Sequence, residues 1–184
     1  MSRIALFIDG AYFDYILRNE FGLPKIDFEK LANVMSDGVD ILRSYYYHCP
    51  PYQSDPPTEE ERKRFSAKEK FFYNLTRLPR FQVRRGKLEF RGIDSKGHPI
   101  FEQKRIDILL GVDMVLLAAK HAITHACLLA GDSDFLPAVQ AAKNEGVLVH
   151  LFHGARTTVH EELFLAADER TRIDNSLLEK IRLT

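Results

Sequence analysis

Two short apolar runs in this chain each end in an acid beside a glycine. Residues 126–130 (ACLLA) lead into Gly131 and Asp132, with Asp134 and a helix-like LPAVQAAKNEG behind them; residues 4–8 (IALFI) lead into Asp9 and Gly10. Unbroken apolar runs of this length are the pattern of parallel strands covered on both faces. Ligands of open α/β sheets gather beyond the carboxyl ends of such strands. Asp9 and Asp132 hold equivalent places, so two neighbouring strands would deliver both carboxylates to one crevice. Two charges roughly 5 Å apart at an effective dielectric of about 20 repel by on the order of 3 kcal/mol. The Asp132–Asp134 stretch has no Lys or Arg of its own, so a hard divalent cation is the natural counter-charge.

Simpler roles compete for each acid. Asp9 alone fits a turn former. Pro137 lacks an N–H and suits a first helical turn, which makes Asp134 the expected N-cap and leaves Asp132, with Ser133 beside it, in the loop at the strand tip.

The rest of the chain reads as alternating elements. Helices are expected at 11–20 and at 26–35, the second capped by Asp27, with a strand at 39–47 and a proline-rich loop at 48–57. Thr58 and Glu61 form a capping box for one long helix running toward Pro79. Residues 80–104 read as two β segments around a turn at 95–97. That ribbon, with Arg105 just after it, gathers Arg80, Arg84, Arg85, Lys87, Arg91, Lys96 and Lys104, interleaved with Phe81, Phe90 and Phe101, against Glu89, Asp94 and Glu102. A basic, aromatic ribbon suits a phosphate backbone and unstacked bases, and edge protection by charge explains it almost as well. An apolar helix follows, with Asp107 in its first turn and Asp113 about 120° further round the axis. Asp113 lies among apolar residues and needs a partner; Lys104 can reach Asp107 or a bound phosphate. A strand is expected at 147–152, a helix at 158–167 and a terminal helix at 173–183.

Composition sets the frame. A chain of 184 residues with 45% hydrophobic and 28% charged content fits one globular domain. Lys plus Arg and Asp plus Glu number 26 each, so nucleic-acid binding has to come from a local patch. Cys49 and Cys127 lack metal spacing and read as reduced core thiols of a cytoplasmic protein. No stretch is long and apolar enough for a membrane span. His121 and His125 are four apart but lack a glutamate in zincin position, which argues against zinc.

Taken together, FIDG at 7–10, K-x-x-D-x-x-L-x-x-D from Lys104 to Asp113 and GDSDF at 131–135 resemble the three signatures of the NYN domain family. More narrowly they are similar to its LabA-like (DUF88) group within the PIN-like nuclease superfamily. The resemblance covers roughly residues 4–168. It implies a single Rossmann-like α/β domain over 1–184, with a mainly parallel sheet flanked by helices and a basic β-hairpin inserted at about 80–104. It also implies Mg²⁺ or Mn²⁺, RNA as partner, and ribonuclease activity in the active members. Asp9, Asp107 and Asp132 match the metal-binding acids, Asp134 is a fourth catalytic acid, and Asp113, Ser133 and Lys104 take supporting places. One departure stands out: many relatives carry an Asn two residues after the glycine, and here the run is Asp9-Gly10-Ala11-Tyr12. The expected function is a metal-dependent ribonuclease that binds RNA through Arg80, Arg84, Arg85, Lys87, Arg91, Lys104 and Arg105. The alternatives are a non-catalytic RNA- or protein-binding module and a Mg²⁺-dependent phosphatase or nucleotide-acting enzyme. Against the haloacid-dehalogenase type of phosphatase, position 11 is Ala where a second Asp is needed. A homo-oligomer is left open.

Overall fold

Asp9 and Asp132 do follow adjacent parallel strands of one sheet. In the computed structural model, which describes residues 2–157 and 159–183, the first half of the chain gives β1 (Arg3–Asp9), α1 (Gly10–Phe21), α2 (Phe28–Ser36), β2 (Asp40–His48), α3 (Glu59–Thr76) and β3 (Phe81–Arg85). A hairpin of β4 (Lys87–Ile93) and β5 (Pro99–Lys104) leads into α4 (Ile106–Ala119). The second half gives β6 (His125–Leu129), α5 (Leu136–Asn144), β7 (Leu148–Gly154), α6 (Glu161–Ala166), β8 (Glu169–Ile173) and α7 (Asn175–Ile181).

Six strands form one all-parallel sheet in the order β3-β2-β1-β6-β7-β8. The chain therefore winds outward in one direction from β1 and returns to start again at β6. The point where the order reverses lies between these two strands, and the crevice there is where doubly wound sheets take their ligands. Residues of β1 alternate between two cores: Ile4, Leu6 and Ile8 pack with α1, α2, α3 and α7, while Ala5 and Phe7 pack with α4, α5 and α6. Burial on both faces is why the strand is a continuous apolar run.

Local chemistry fixes the helix starts as expected in two places. Asp27 accepts the amides of Glu29 and Lys30, and Thr58 and Glu61 form a complete capping box. Three expectations need correction. Residues 81–85 are not part of the hairpin but the edge strand of the main sheet, parallel to β2, so the hairpin spans only 87–104. Residues 169–173 form the opposite edge strand, and the terminal helix is the shorter Asn175–Ile181. The helix expected at 158–167 begins at Glu161, and Thr158 lies outside the described residues. The second of these edge strands, ERTRI, carries charges at three of five positions, which hides it from a search for apolar runs.

Candidate active site

β1 ends on Asp9, whose carboxylate folds back to cap α1. Its Oδ1 accepts the amides of Ala11 at 3.0 Å and Tyr12 at 3.2 Å. Gly10 is required directly behind it, because a Cβ there would lie 2.5 Å from Cζ of the buried Tyr46 ring and 2.6 Å from its hydroxyl. Across the crevice Gly131 meets a similar limit, since a Cβ would lie 2.3 Å from the Tyr12 ring. The glycines beside both acids thus let the helix and the loop close on aromatic rings.

After β6, Asp132 Oδ1 accepts the amide of Asp134 at 3.0 Å and caps a one-turn 3-10 helix, Ser133–Phe135, that precedes α5. The capping role expected of Asp134 therefore falls to Asp132. Asp134 makes no side-chain cap, since α5 starts without one. Both Asp132 and Asp134 are exposed, with Ser133 half-buried between them. Asp107 stands in the first turn of α4, as expected, close enough to Asp132 and Asp134 for their charges to act on it. Asp107 and Asp134 both line an open groove of about 690 Å³ whose other lining includes Ile108, Val112, Leu116 and Pro137.

The electrostatics tie the four acids together. Burial raises the Asp107 carboxyl above its ordinary range, and the charges of Asp132 and Asp134 raise it further. Asp9 is pushed to about 6, chiefly by burial and also by the charge of Asp107, against the opposing amides of Tyr12 and Ala11 and the charge of His48. None of the four is salt-bridged among the described residues, so negative charge accumulates there with only the more distant His48 opposing it. The donor set is all hard carboxylate oxygen, which fits Mg²⁺ or Mn²⁺ by chemistry. In this structure, however, no three His, Cys, Asp or Glu side chains among the described residues stand close enough to hold a metal between them.

Asp113 is elsewhere. It receives Arg84 Nε on Oδ2 at 2.9 Å, Arg84 Nη2 on Oδ1 at 3.2 Å and the Tyr47 hydroxyl on Oδ2 at 2.9 Å. This is a clamp between α4 and the β2–β3 edge. The other basic residues expected to face RNA are also paired: Arg80 with Asp40, Arg85 with Glu69, Lys87 with Glu89, Arg91 with Glu89 and Glu102, and Lys104 with Glu102 rather than Asp107. Arg105 forms no salt bridge among the described residues; it is exposed at the start of α4. Exposed pairs of this kind are weak and exchange easily for a phosphate.

Sequence reasoning passed over His48. It is the last residue of β2, next to Tyr47, which pairs with Asp9 in the sheet register. Its Nε2 lies 3.0 Å from Asp14 Oδ2, which also accepts from Lys68 Nζ at 3.3 Å. The signal was its position: like Asp9, it ends a run of strand-forming residues.

The family model for the NYN domain matches residues 3–174. Uncharacterized protein y4oD of Sinorhizobium fredii (strain NBRC 101917 / NGR234) is 38% identical over 96 residues, which make up 51% of this chain and 43% of that protein. The chain thus spans less than half the length of this relative. The crystal structure of a protein of unknown function, VPA0982 from Vibrio parahaemolyticus RIMD 2210633, shares the fold, with a TM-score of 0.68 at 20% identity over 99% of this chain and 96% of that one.

Proposed function

The chain belongs to the NYN domain family, part of the PIN-like nuclease superfamily, and from that premise we propose that it is a metal-dependent ribonuclease hydrolysing RNA phosphodiester bonds. One observation carries the reading. Asp9 and Asp132 lie at the carboxyl ends of neighbouring parallel strands where the sheet order reverses, with Asp107 near enough for the charges of Asp132 and Asp134 to raise its carboxyl and for its own charge to raise that of Asp9. Asp9, Asp107 and Asp132 would hold Mg²⁺ or Mn²⁺, and Asp134 serves as the fourth acid. The metal, when bound, supplies a coordinated water of lowered pKa and a counter-charge for the scissile phosphate.

The chain's own residues set the geometry. The caps fix Oδ1 of Asp9 and of Asp132 on backbone amides, and neither Oδ2 takes a hydrogen bond among the described residues. Asp134, free of any cap, is suited to orient the attacking water and accept its proton. Arg105 and Lys104, two and three residues before Asp107, offer cationic groups to the incoming strand. The two cysteines are buried and unpaired, which suits the cytoplasm. Among the described residues no helix is long and apolar enough to cross a membrane.

A second reading, an RNA- or protein-binding module that keeps the fold without cutting, is favoured by the acids' arrangement, in which no three His, Cys, Asp or Glu among the described residues form a ready metal cage. The deciding assay incubates the protein with mixed RNAs, DNA and a chromogenic phosphate ester in Mn²⁺ or EDTA. RNA cleavage in Mn²⁺ alone, lost in Asp132→Asn, is the expected result. RNA left intact while the monoester is cleaved would overturn the ribonuclease reading.

A further inference from the structure

Beside the hairpin lies a cleft that neither the acids nor the metal explain. Phe90 and Phe101 sit directly opposite each other in the β4–β5 register, with ring centroids 5.9 Å apart. Tyr52, from the loop after β2, brings a third ring to 5.3 Å from Phe101 and 6.1 Å from Phe90. Phe90 remains 45% and Phe101 39% exposed, so the cluster is not closed over. The three rings line a cleft of about 350 Å³ together with Pro51, Leu88 and Arg64. Arg64 has no carboxylate partner among the described residues, and Glu61 nearby is already engaged by Ser54 and Thr58.

We propose that this cleft is a nucleobase-binding subsite for an RNA strand leading into the acid crevice, an inference that rests on the ribonuclease reading. Its volume is at the small end of ligand pockets, about 300–1,000 Å³, which limits it to a ligand of few rings. Rings with free faces stack any base, and a guanidinium beside them adds a planar cation for the base or its phosphate. Charge favours nucleic acid over a protein segment. The opposite face of the same hairpin displays Lys87, Arg91 and Lys104, and their exposed carboxylate partners Glu89 and Glu102 give way cheaply to phosphate. Connectivity supplies the path. β5 ends at Lys104 and α4 opens at Ile106–Asp107, so three strand residues, about 10 Å, separate Phe101 from the base of the hairpin beside the acids.

Binding of a labelled single-stranded oligouridylate to the full-length protein, measured in EDTA, tests this apart from catalysis. Tyr52→Leu keeps the apolar contact but removes the π face; it is expected to weaken binding by about 5- to 150-fold, while Tyr52→Phe binds as wild type does. An oligonucleotide with abasic sites should bind wild type and Tyr52→Leu equally weakly. Arg64→Gln, on an exposed helix position, provides a second variant that leaves the ring cluster intact and should weaken binding as well. Equal affinity of wild type, Tyr52→Leu and Arg64→Gln for the natural oligonucleotide would overturn the subsite. So would a fall in sedimenting mass in Tyr52→Leu, which would make the face a protein interface. Hydrolysis of a small chromogenic phosphodiester in Mn²⁺ separates the two claims. It should be lost in Asp132→Asn; if wild type cleaves neither RNA nor the diester, the nuclease reading fails while the EDTA binding data stand.

Discussion

Arg84 holds Asp113 through two parallel hydrogen bonds, Nε to Oδ2 at 2.9 Å and Nη2 to Oδ1 at 3.2 Å, and so ties the edge of the sheet to α4. The aspartate is only 16% exposed, and Tyr47 donates to it as well. Removing the arginine leaves a carboxylate with one neutral donor in a mostly dry site. Arg84→Met is therefore expected to cost about 2 kcal/mol in urea unfolding. The double variant Arg84→Met/Asp113→Leu should recover part of that loss, because an apolar pair no longer carries a stranded charge. Its RNA affinity should match wild type, since this arginine serves the fold. A loss of affinity in the folded double variant would return Arg84 to the RNA surface.

Lys87 and Arg105 make the opposite forecast. Lys87 is 61% exposed with its Glu89 partner at 3.5 Å, and Arg105 has no salt bridge among the described residues. Each phosphate contact to a single strand contributes about 0.7 to the slope of log affinity against log salt. Replacing both with Gln should flatten that slope by about 1.4 and leave the melting temperature unchanged, as read from binding isotherms at several salt concentrations. An unchanged slope would mean that the hairpin charge only blunts a sheet edge.

Asp132 and Asp134 separate a capping role from a chemical one. Asp132 Oδ1 holds the Asp134 amide, so Asp132→Ala should lose about 1 kcal/mol of stability, whereas Asp132→Asn keeps an acceptor and is spared. Asp134 caps nothing, and Asp134→Ala should melt close to wild type. If Asp134→Ala nevertheless abolishes Mn²⁺-dependent cleavage, its role is chemical. Wild-type cleavage in that variant would remove it from the site.

These contrasts mark where the sequence is readable. The strands carrying Asp9 and Asp132 were legible because both their faces are buried, which leaves an unbroken apolar run. Asp27 and Thr58–Glu61 were legible because capping is decided within three residues. β8 was not, because an edge strand such as ERTRI buries too little to show a period. β3 was legible as β but not as part of the main sheet rather than the hairpin, since nothing local tells which neighbour FQVRR pairs with. The cap shifted from Asp134 to Asp132 because one turn of 3-10 helix precedes Pro137, a detail set by packing of the buried Phe135. The clamp of Arg84 on Asp113 joins residues far apart in the chain, and no local pattern announces such a pair. Tyr52 reaches Phe101 across the same kind of distance.

The acid cluster leaves its mark on stability. Asp9 is raised from its ordinary 3.8 to about 6, mainly because burial disfavours the charged form. The folded state therefore holds this proton more tightly than the unfolded chain does. The resulting destabilisation is absent below pH 3.8, grows as pH rises, and is complete above about 6. At 1.36 kcal/mol per unit, it amounts to about 3 kcal/mol at neutral pH in the metal-free protein. Asp9→Asn keeps an Oδ1 acceptor for Ala11 and Tyr12 while removing the charge. Without metal, Asp9→Asn should therefore unfold later than wild type at pH 7.5 and lose that advantage at pH 4. Added Mn²⁺ should stabilise wild type by mass action and the variant much less. Thermal melts at the two pH values, with and without Mn²⁺, decide the matter. A variant that melts below wild type at pH 7.5, together with a wild type indifferent to Mn²⁺, would show that Asp9 serves only as a helix cap.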